Sequence, residues 1–252
     1  MKKLLAVVLG VVMCLSVSLL AACGSAFDGD YKETSAASVS EFAAKVDEAG
    51  LDDISYGSGI KTYLEFETSG DGESMSIKNT MYFALKDNKL AMNGDVSGKV
   101  KSSTTNMDVN AKIYYSDGYM YYNGKYMNID AKFKQAMGIE ELIGSYGETG
   151  SLSQVKLSDA VVQYTSDTTR FYMTTDNNGV TKIRLNVQSE YGKIAIYYIF
   201  GSDYALQGFK MEIETNFEGA KVKGTMYAEP WNGNINLPSD LASYPEGNPF
   251  VA

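Results

Sequence analysis

The sequence predicts a mainly β protein of the α+β class. Its expected architecture is one strongly curved antiparallel sheet, a half-barrel of about ten strands, with two helices on the concave side. Three observations carry this reading. From Ile60 onward the dominant hydropathy period is two, giving each strand one apolar and one polar face. Glycine-bearing turn signals punctuate the strands at short intervals. Two stretches break the alternation with helical spacing. A long sheet with a single apolar face must close or curl around something, and two helices are the available filler.

The chain begins with Lys2 and Lys3, an apolar run from Leu4 to Leu20, and then Leu20-Ala21-Ala22-Cys23. A basic start, an apolar stretch and small residues before the cut are the parts of an export signal. The run is short for a membrane span and is broken by Gly10, Ser16 and Ser18. A cysteine after the small residues makes the motif look like a bacterial lipobox. In that reading residues 1–22 are the signal peptide and the Cys23 thiol carries a diacylglycerol thioether. The protein is then exported and lipid-anchored to the outer face of the bacterial cell membrane. Gly24 follows, so no aspartate retains it on an inner membrane.

Residues 23–37 are small and polar and read as a lipidated tether. A single β domain is expected over 38–252. Ser38 to Gly50 reads as its first helix, with Val39, Phe42, Ala43, Val46 and Ala49 on one face. Ser38 with Glu41 forms a capping box and Gly50 supplies the stop.

The first strands follow by alternation. Ile60, Leu64 and Phe66 oppose Lys61, Glu65 and Glu67; Met75, Ile77, Met81, Phe83 and Leu85 share one parity; Leu90, Met92, Val96 and Val100 continue it. Met107, Val109, Ala111, Ile113 and Tyr115 oppose Asp108, Asn110 and Lys112. Turns are expected at Asp87-Asn88, Ser116-Asp117-Gly118 and Asn123-Gly124, the last as a two-residue hairpin. Asp130 to about Tyr146 reads as the second helix, with Phe133 and Met137 on its apolar face and Gly138 as a bend. Gly144 to Ser153 is a loop.

The second half resumes with strands at Val155–Thr165, Arg170–Thr175 and Val180–Ser189. Lys193 to Phe200 is almost wholly apolar or aromatic, as in a strand covered on both faces. Phe209, Met211, Ile213, Val222, Met226 and Ala228 complete the series, with turns at Asn177-Asn178-Gly179, Tyr191-Gly192 and Glu218-Gly219. The tail from Pro230 is rich in proline and reads as irregular.

Composition excludes several function classes. The chain has no histidine and two cysteines, of which Cys14 leaves with the leader and Cys23 carries lipid. Histidine-dependent triads, thiol nucleophiles, the usual zinc ligand sets and an internal disulfide are therefore excluded. The formal charge is −9 and the arginines are Arg170 and Arg184, which argues against nucleic acid. Gly57-Ser58-Gly59-Ile60-Lys61-Thr62 lacks the glycine before the lysine that a P-loop needs. Asp176-Asn177-Asn178-Gly179 lacks the bidentate glutamate of a calcium loop, having Val187 in its place. The carboxylates Glu140, Glu141, Asp52, Asp53, Glu212 and Glu214 fit solvated positions. No enzyme, cofactor or metal site is expected.

The lipobox, the helix before the first strand and the long meander resemble the lipoprotein-carrier superfamily. That superfamily includes the LolA-like carriers, the lipid-binding lipoproteins of mycobacteria and surface lipoproteins of Gram-positive bacteria. The tyrosine-rich segment Tyr114 to Met127 and the closing Ile235-Asn236-Leu237-Pro238 also match. Tyr126 stands where many relatives have tryptophan. The resemblance implies a cavity between sheet and helices that holds acyl chains, with Phe83, Met92, Tyr115, Phe133, Met137 and Ile143 as candidate lining. The alternative is a filled core, with a surface module or envelope sensor binding protein or cell-wall glycan through exposed Tyr119, Tyr121, Tyr122 and Tyr126. The 19 tyrosines suit either reading.

Overall fold

The computed structural model describes residues 27–49, 59–86, 89–126, 129–138, 157–217 and 219–247. The leader with Cys23, Gly50, the acidic pair Asp52-Asp53, Gly57-Ser58, the turn Asp87-Asn88 and the whole of 139–156 lie outside the described residues. So do Ile143, Glu140, Glu141 and the expected Gly144–Ser153 loop.

The described residues form one open sheet of twelve antiparallel strands. They are β1 (Lys32–Thr34), β2 (Gly59–Gly70), β3 (Glu73–Lys86), β4 (Lys89–Lys101), β5 (Asn106–Ser116), β6 (Tyr119–Tyr126), β7 (Ile129–Ala136), β8 (Thr169–Thr175), β9 (Thr181–Ser189), β10 (Gly192–Phe200), β11 (Leu206–Phe217) and β12 (Ala220–Pro230). Two helices, α1 (Ala36–Ala49) and α2 (Leu157–Tyr164), lie among the described residues. The spatial order is β1-β8-β9-β10-β11-β12-β2-β3-β4-β5-β6-β7. Two meanders thus join where β12 pairs with β2, Met226 opposite Leu64. The sheet curves as a half-barrel with the helices on its concave side. No described helix is long and apolar enough to cross a membrane.

Turn chemistry explains the hairpins. Asp71-Gly72 and Asp117-Gly118 both adopt positive φ, at 52° and 77° and at 52° and 81°. This is the geometry whose twist matches antiparallel strands, and Asx-Gly pairs reach it at little cost.

Helix α1 starts earlier than the capping box predicts. The Ser38 backbone N–H donates to Ser35 Oγ at 3.1 Å, so Ser35 is the cap. Its Val39, Ala43 and Val46 are buried against α2 and the sheet.

Four expectations are corrected. Asp130 to Gly138 is not helical: Ile129–Ala136 is β7, with Ile129, Ala131 and Phe133 on one face and Asp130, Lys132 and Lys134 on the other, and the rest of the expected helix lies outside the described residues. The Phe133 to Met137 spacing fits a helix, but the alternation between them wins because β6 supplies hydrogen-bond partners. Asn123-Gly124 is not a turn but lies inside β6. Gly124 is needed there because a Cβ would come within 2.4 Å of Ala111 Cα. The strand expected over Val155–Thr165 is helix α2 where described. Its Leu157 and Val161 share a buried face, and the Asp47 carboxylate accepts the Leu157 and Ser158 N–H groups at 2.8 and 3.2 Å. That cap comes from α1, 110 residues away in sequence, which no local pattern reveals.

The fourth correction concerns the tether. Lys32–Thr34 pairs with β8, and Phe27 and Tyr31 pack edge-on against Tyr197 with ring centroids 6.3 and 6.0 Å away. Residues from Phe27 onward are therefore part of the domain. This segment also explains β10: Ile196 and Phe200 face the helices, while Tyr197 is covered on the other side by Phe27 and Tyr31. The expected double coverage is observed.

The tail after β12 is irregular, as expected, but it is fastened. Trp231 packs on Tyr82, and Ile235, Leu237, Leu241 and Tyr244 lie along β3–β6. Beyond β7 it adds edge bonds, Lys134 N–H to Pro245 O at 2.7 Å and Gly247 N–H to Lys134 O at 3.0 Å. The tail thus works as a strap that covers an otherwise open sheet edge.

Candidate functional site

Directly paired residues share a face, so the register sorts the sheet into two surfaces. On the concave face one row runs Met173, Ile183, Tyr198, Phe209, Ala228, Thr62, Met81, Gly94, Ile113, Tyr122, Phe133. The next runs Phe171, Leu185, Ile196, Met211, Met226, Leu64, Asn79, Val96, Ala111, Gly124, Ala131. From β2 to β12, the only charged residue at a paired position of this face is Glu73, beside the β2–β3 turn. The chain carries 22 Lys and Arg and 31 Asp and Glu, so this segregation is a strong constraint.

The two halves of the concave face differ in how they are covered. Over β8–β11, Val39, Ala43 and Val46 of α1 and Leu157 and Val161 of α2 complete a continuous core with Phe171, Ile183, Leu185, Ile196, Phe200 and Phe209. Over β2–β7, no described helix joins the apolar cluster. There Met81, Met92 and Tyr115 are buried, and Phe83, Leu90, Val96, Ile113, Met120 and Met137 pack around them partly buried. Leu64, Ile77 and Val109 extend this partly buried apolar surface. An open depression of about 440 Å³ borders Leu90 and Tyr115, rimmed by Lys89, Asp117 and Gly118.

Of the residues expected to line a cavity, the structure brings Phe83, Met92, Tyr115 and Met137 into one cluster. Phe133 lies one row away on the same face, stacked on Tyr122 with centroids 5.2 Å apart. Tyr115 donates its hydroxyl to Met137 O at 3.2 Å, which draws the chain after β7 back over the cluster. Spacing alone does not single out Asn79, the one amide in the middle of this face. Its Oδ1 is buried with no hydrogen-bond partner, as is Thr68 Oγ1 nearer the β2–β3 turn. The sequence signal was present: Asn79 interrupts the apolar parity of Met75, Ile77, Met81 and Phe83.

The tyrosine patch is corrected. Tyr121 is 8% exposed and packs beneath the strap, its ring 5.6 Å from and perpendicular to that of Tyr244. Tyr119 joins the same cluster with Tyr114, Leu237 and Leu241. Tyr122 points to the concave face and its hydroxyl donates to Lys125 O at 3.1 Å. Tyr126 ends β6, and its side chain lies outside the described residues. No single exposed patch contains the four, because alternation sends neighbours to opposite faces.

The opposite face holds the charges. Arg184 lies between the rings of Tyr31 and Tyr172, 5.0 and 4.2 Å from their centroids, and Lys210 lies over Tyr197. Tyr63 and Tyr227 stack at 4.9 Å. Burial pushes the phenols of Tyr31 and Tyr197 up to about 12. Carboxylates here are held below their usual range, Glu65 chiefly by the Tyr63 hydroxyl, Asp117 by Lys89, Glu214 by Lys193 and Asp240 by Lys132. Lys61 pairs with the buried Glu229; burial opposes its charge, but bonds to Glu229 and Tyr227 outweigh it and raise its pKa. Lys61–Glu229 and Lys193–Glu214 are directly opposed cross-strand pairs on a solvated sheet face, Tyr63 and Glu65 lie on one strand, and Asp117 and Asp240 lie in a turn and in the strap. Among the described residues, no cluster of acidic groups has the arrangement of a metal site.

Neither a family model nor a curated protein sequence matches the chain. Solved structures similar to it include these three. A DUF1329 family protein from Desulfovibrio piger is 11% identical, with 81% of this chain and 95% of that one covered and a TM-score of 0.21. The ywiB protein from Bacillus subtilis is 11% identical over 69% and 93%, with a TM-score of 0.16. The S-type phycobiliprotein lyase from Guillardia theta is 7% identical over 77% and 99%, with a TM-score of 0.18. Scores this low carry no argument about what the chain binds.

Proposed function

We propose that this chain is an exported, lipid-anchored, non-catalytic binding protein that takes an apolar or amphiphilic ligand on the concave face of β2–β6. One observation supports this above all. The concave surface carries the partly buried Leu64, Ile77, Phe83, Leu90, Val96, Val109, Ile113 and Met120, while the charges stand on the other face. A contiguous apolar surface left incompletely covered outside the packed core suits a partner or ligand. Methionines suit a surface that accommodates chains of variable shape. The lipobox ending at Cys23 and the resemblance to lipoprotein carriers agree with this reading. The lipid on Cys23 holds the acidic domain at the membrane surface, with no basic patch required.

The test is insertion of a charge on each face. Val96 is half-buried on the concave side, and its neighbour Ser97 is exposed on the other. Wild-type protein and Ser97→Lys should bind the neutral dye Nile red equally, and Val96→Lys at least ~10-fold more weakly, about 1.4 kcal/mol. Equal binding by all three, or none by the wild type, would overturn the proposal.

A further inference from the structure

Resting on that reading, we infer that the ligand is an uncharged amphiphile bearing a hydroxyl, and that Asn79 receives this hydroxyl. Asn79 lies mid-face, opposite Leu64 on β2 and Val96 on β4. Its Oδ1 is buried without a partner, in surroundings where such a group is costly unless something pairs with it. The diagonal positions on β4 beside Val96 are Gly94 and Gly98, so the strand next to Asn79 presents little side-chain bulk. At Gly94 the space is taken by Met81, whose sulfur would lie 2.0 Å from a Cβ there. At Gly98 the nearest atom to a Cβ is the Ser76 carbonyl oxygen in the sheet itself, and the nearest side-chain atom is Ile77 Cβ at 3.9 Å.

Charge narrows the ligand class. A carboxylate or phosphate seated beside Asn79 would meet no lysine or arginine at a paired position of this face from β2 to β7, and Lys89, at the rim of the depression, is already paired with Asp117. The phenols of Tyr115 and Tyr122 already donate to backbone carbonyls. An anionic headgroup would therefore be desolvated without compensation. A hydroxyl needs no counter-ion and, unlike an ether, can donate to Asn79 Oδ1 once the amide turns that oxygen toward the ligand. Thr68 Oγ1, the other orphaned oxygen on this face, is four residue rises away along the strands, about 13 Å. It is too far to serve the same hydroxyl.

The experiment is Nile red displacement at pH 8 with four probes of equal chain length: dodecanol, glycerol monolaurate, dodecyl methyl ether and laurate. Wild-type protein should prefer the two alcohols over the ether by about 3–10-fold, the worth of one net hydrogen bond. It should take laurate weakest of all. Asn79→Leu should bind dodecanol and the ether equally, while Thr68→Val keeps the wild-type order. Laurate matching the alcohols, or an alcohol preference that survives in Asn79→Leu, would overturn this inference while leaving the apolar site standing. The wild-type ranking decides even if Asn79→Leu folds poorly. Failure of Nile red and every probe to bind would overturn the proposed function itself, and the inference with it.

Discussion

Replacing Tyr244 by alanine should unseat the C-terminal strap, and the structure sets the scale of the loss. Tyr244 is 3% exposed, meets Tyr121 edge-on at 5.6 Å and lies under the Lys132 ammonium 4.4 Å from its ring centroid. Truncating a buried aromatic to alanine costs about 3–5 kcal/mol, packing and cavity together. One part runs the other way. The Tyr244 hydroxyl is buried without a partner, so its removal returns about 1 kcal/mol or more. Tyr244→Ala should therefore lose about 2–4 kcal/mol, and Tyr244→Phe should lose nothing or gain slightly. At about 2–4 °C per kcal/mol for a chain of this size, the alanine variant should melt roughly 4–16 °C lower. Urea unfolding followed by circular dichroism gives the global stability. Fluorescence of Trp231, which packs on Tyr82 at the start of the strap, reports the strap itself. A loss under ~1 kcal/mol in Tyr244→Ala, or an equal loss in Tyr244→Phe, would refute the reasoning from burial and hydrogen bonding.

Four further outcomes follow. Gly118 has φ 81° with open space around it, so Gly118→Ala should cost about 1–2 kcal/mol from backbone strain. Asn123→Thr, at an exposed mid-strand position, should be neutral or stabilising by urea titration; a loss as large as that of Gly118→Ala would return the turn to Asn123-Gly124. Stability should be flat from about pH 5 to 9, because no histidine is present. Glu65, Asp117, Glu214 and Asp240 have lowered folded-state pKa values. Their contribution is present above the ordinary values of 4.5 and 3.8 and is lost as pH falls through the folded ones. Tyr31 and Tyr197 are raised from 10.0 to about 12, so their contribution is full below 10 and lost between those values. A melting-temperature profile with a step near pH 6.5 would contradict this. Cys23→Ser should release the protein from the membrane fraction and abolish labelling by radioactive palmitate; retention would contradict lipid anchoring.

The strands were legible because alternation is local and strong. The parity of Ile60 to Tyr115 already separated the two faces, and the turn at Asp117-Gly118 was readable as chemistry. The grouping of Phe83, Met92 and Tyr115 could be anticipated for the same reason, since shared parity puts residues on one surface, whereas Met137 was expected from a helix where the chain forms β7 instead. Parity does not name neighbours, however, so the pairing of β12 with β2 could not be read. Helix α2 depends on a cap supplied by Asp47, and β7 depends on β6 on one side and the strap on the other. Each is decided by a partner distant in sequence. The tyrosine patch failed for a related reason, since the strap that covers Tyr119 and Tyr121 carries no periodic signal. Asn79 was visible as an interruption, but its meaning required knowing that its oxygen is buried and unpaired.

Native mass spectrometry of the full chain, extracted from bacterial membranes, tests the central claim most directly. The account predicts wild-type protein carrying a bound neutral amphiphile, one that Val96→Lys does not retain. Wild-type protein that emerges as the lipidated polypeptide alone, and takes up no added dodecanol, would contradict it.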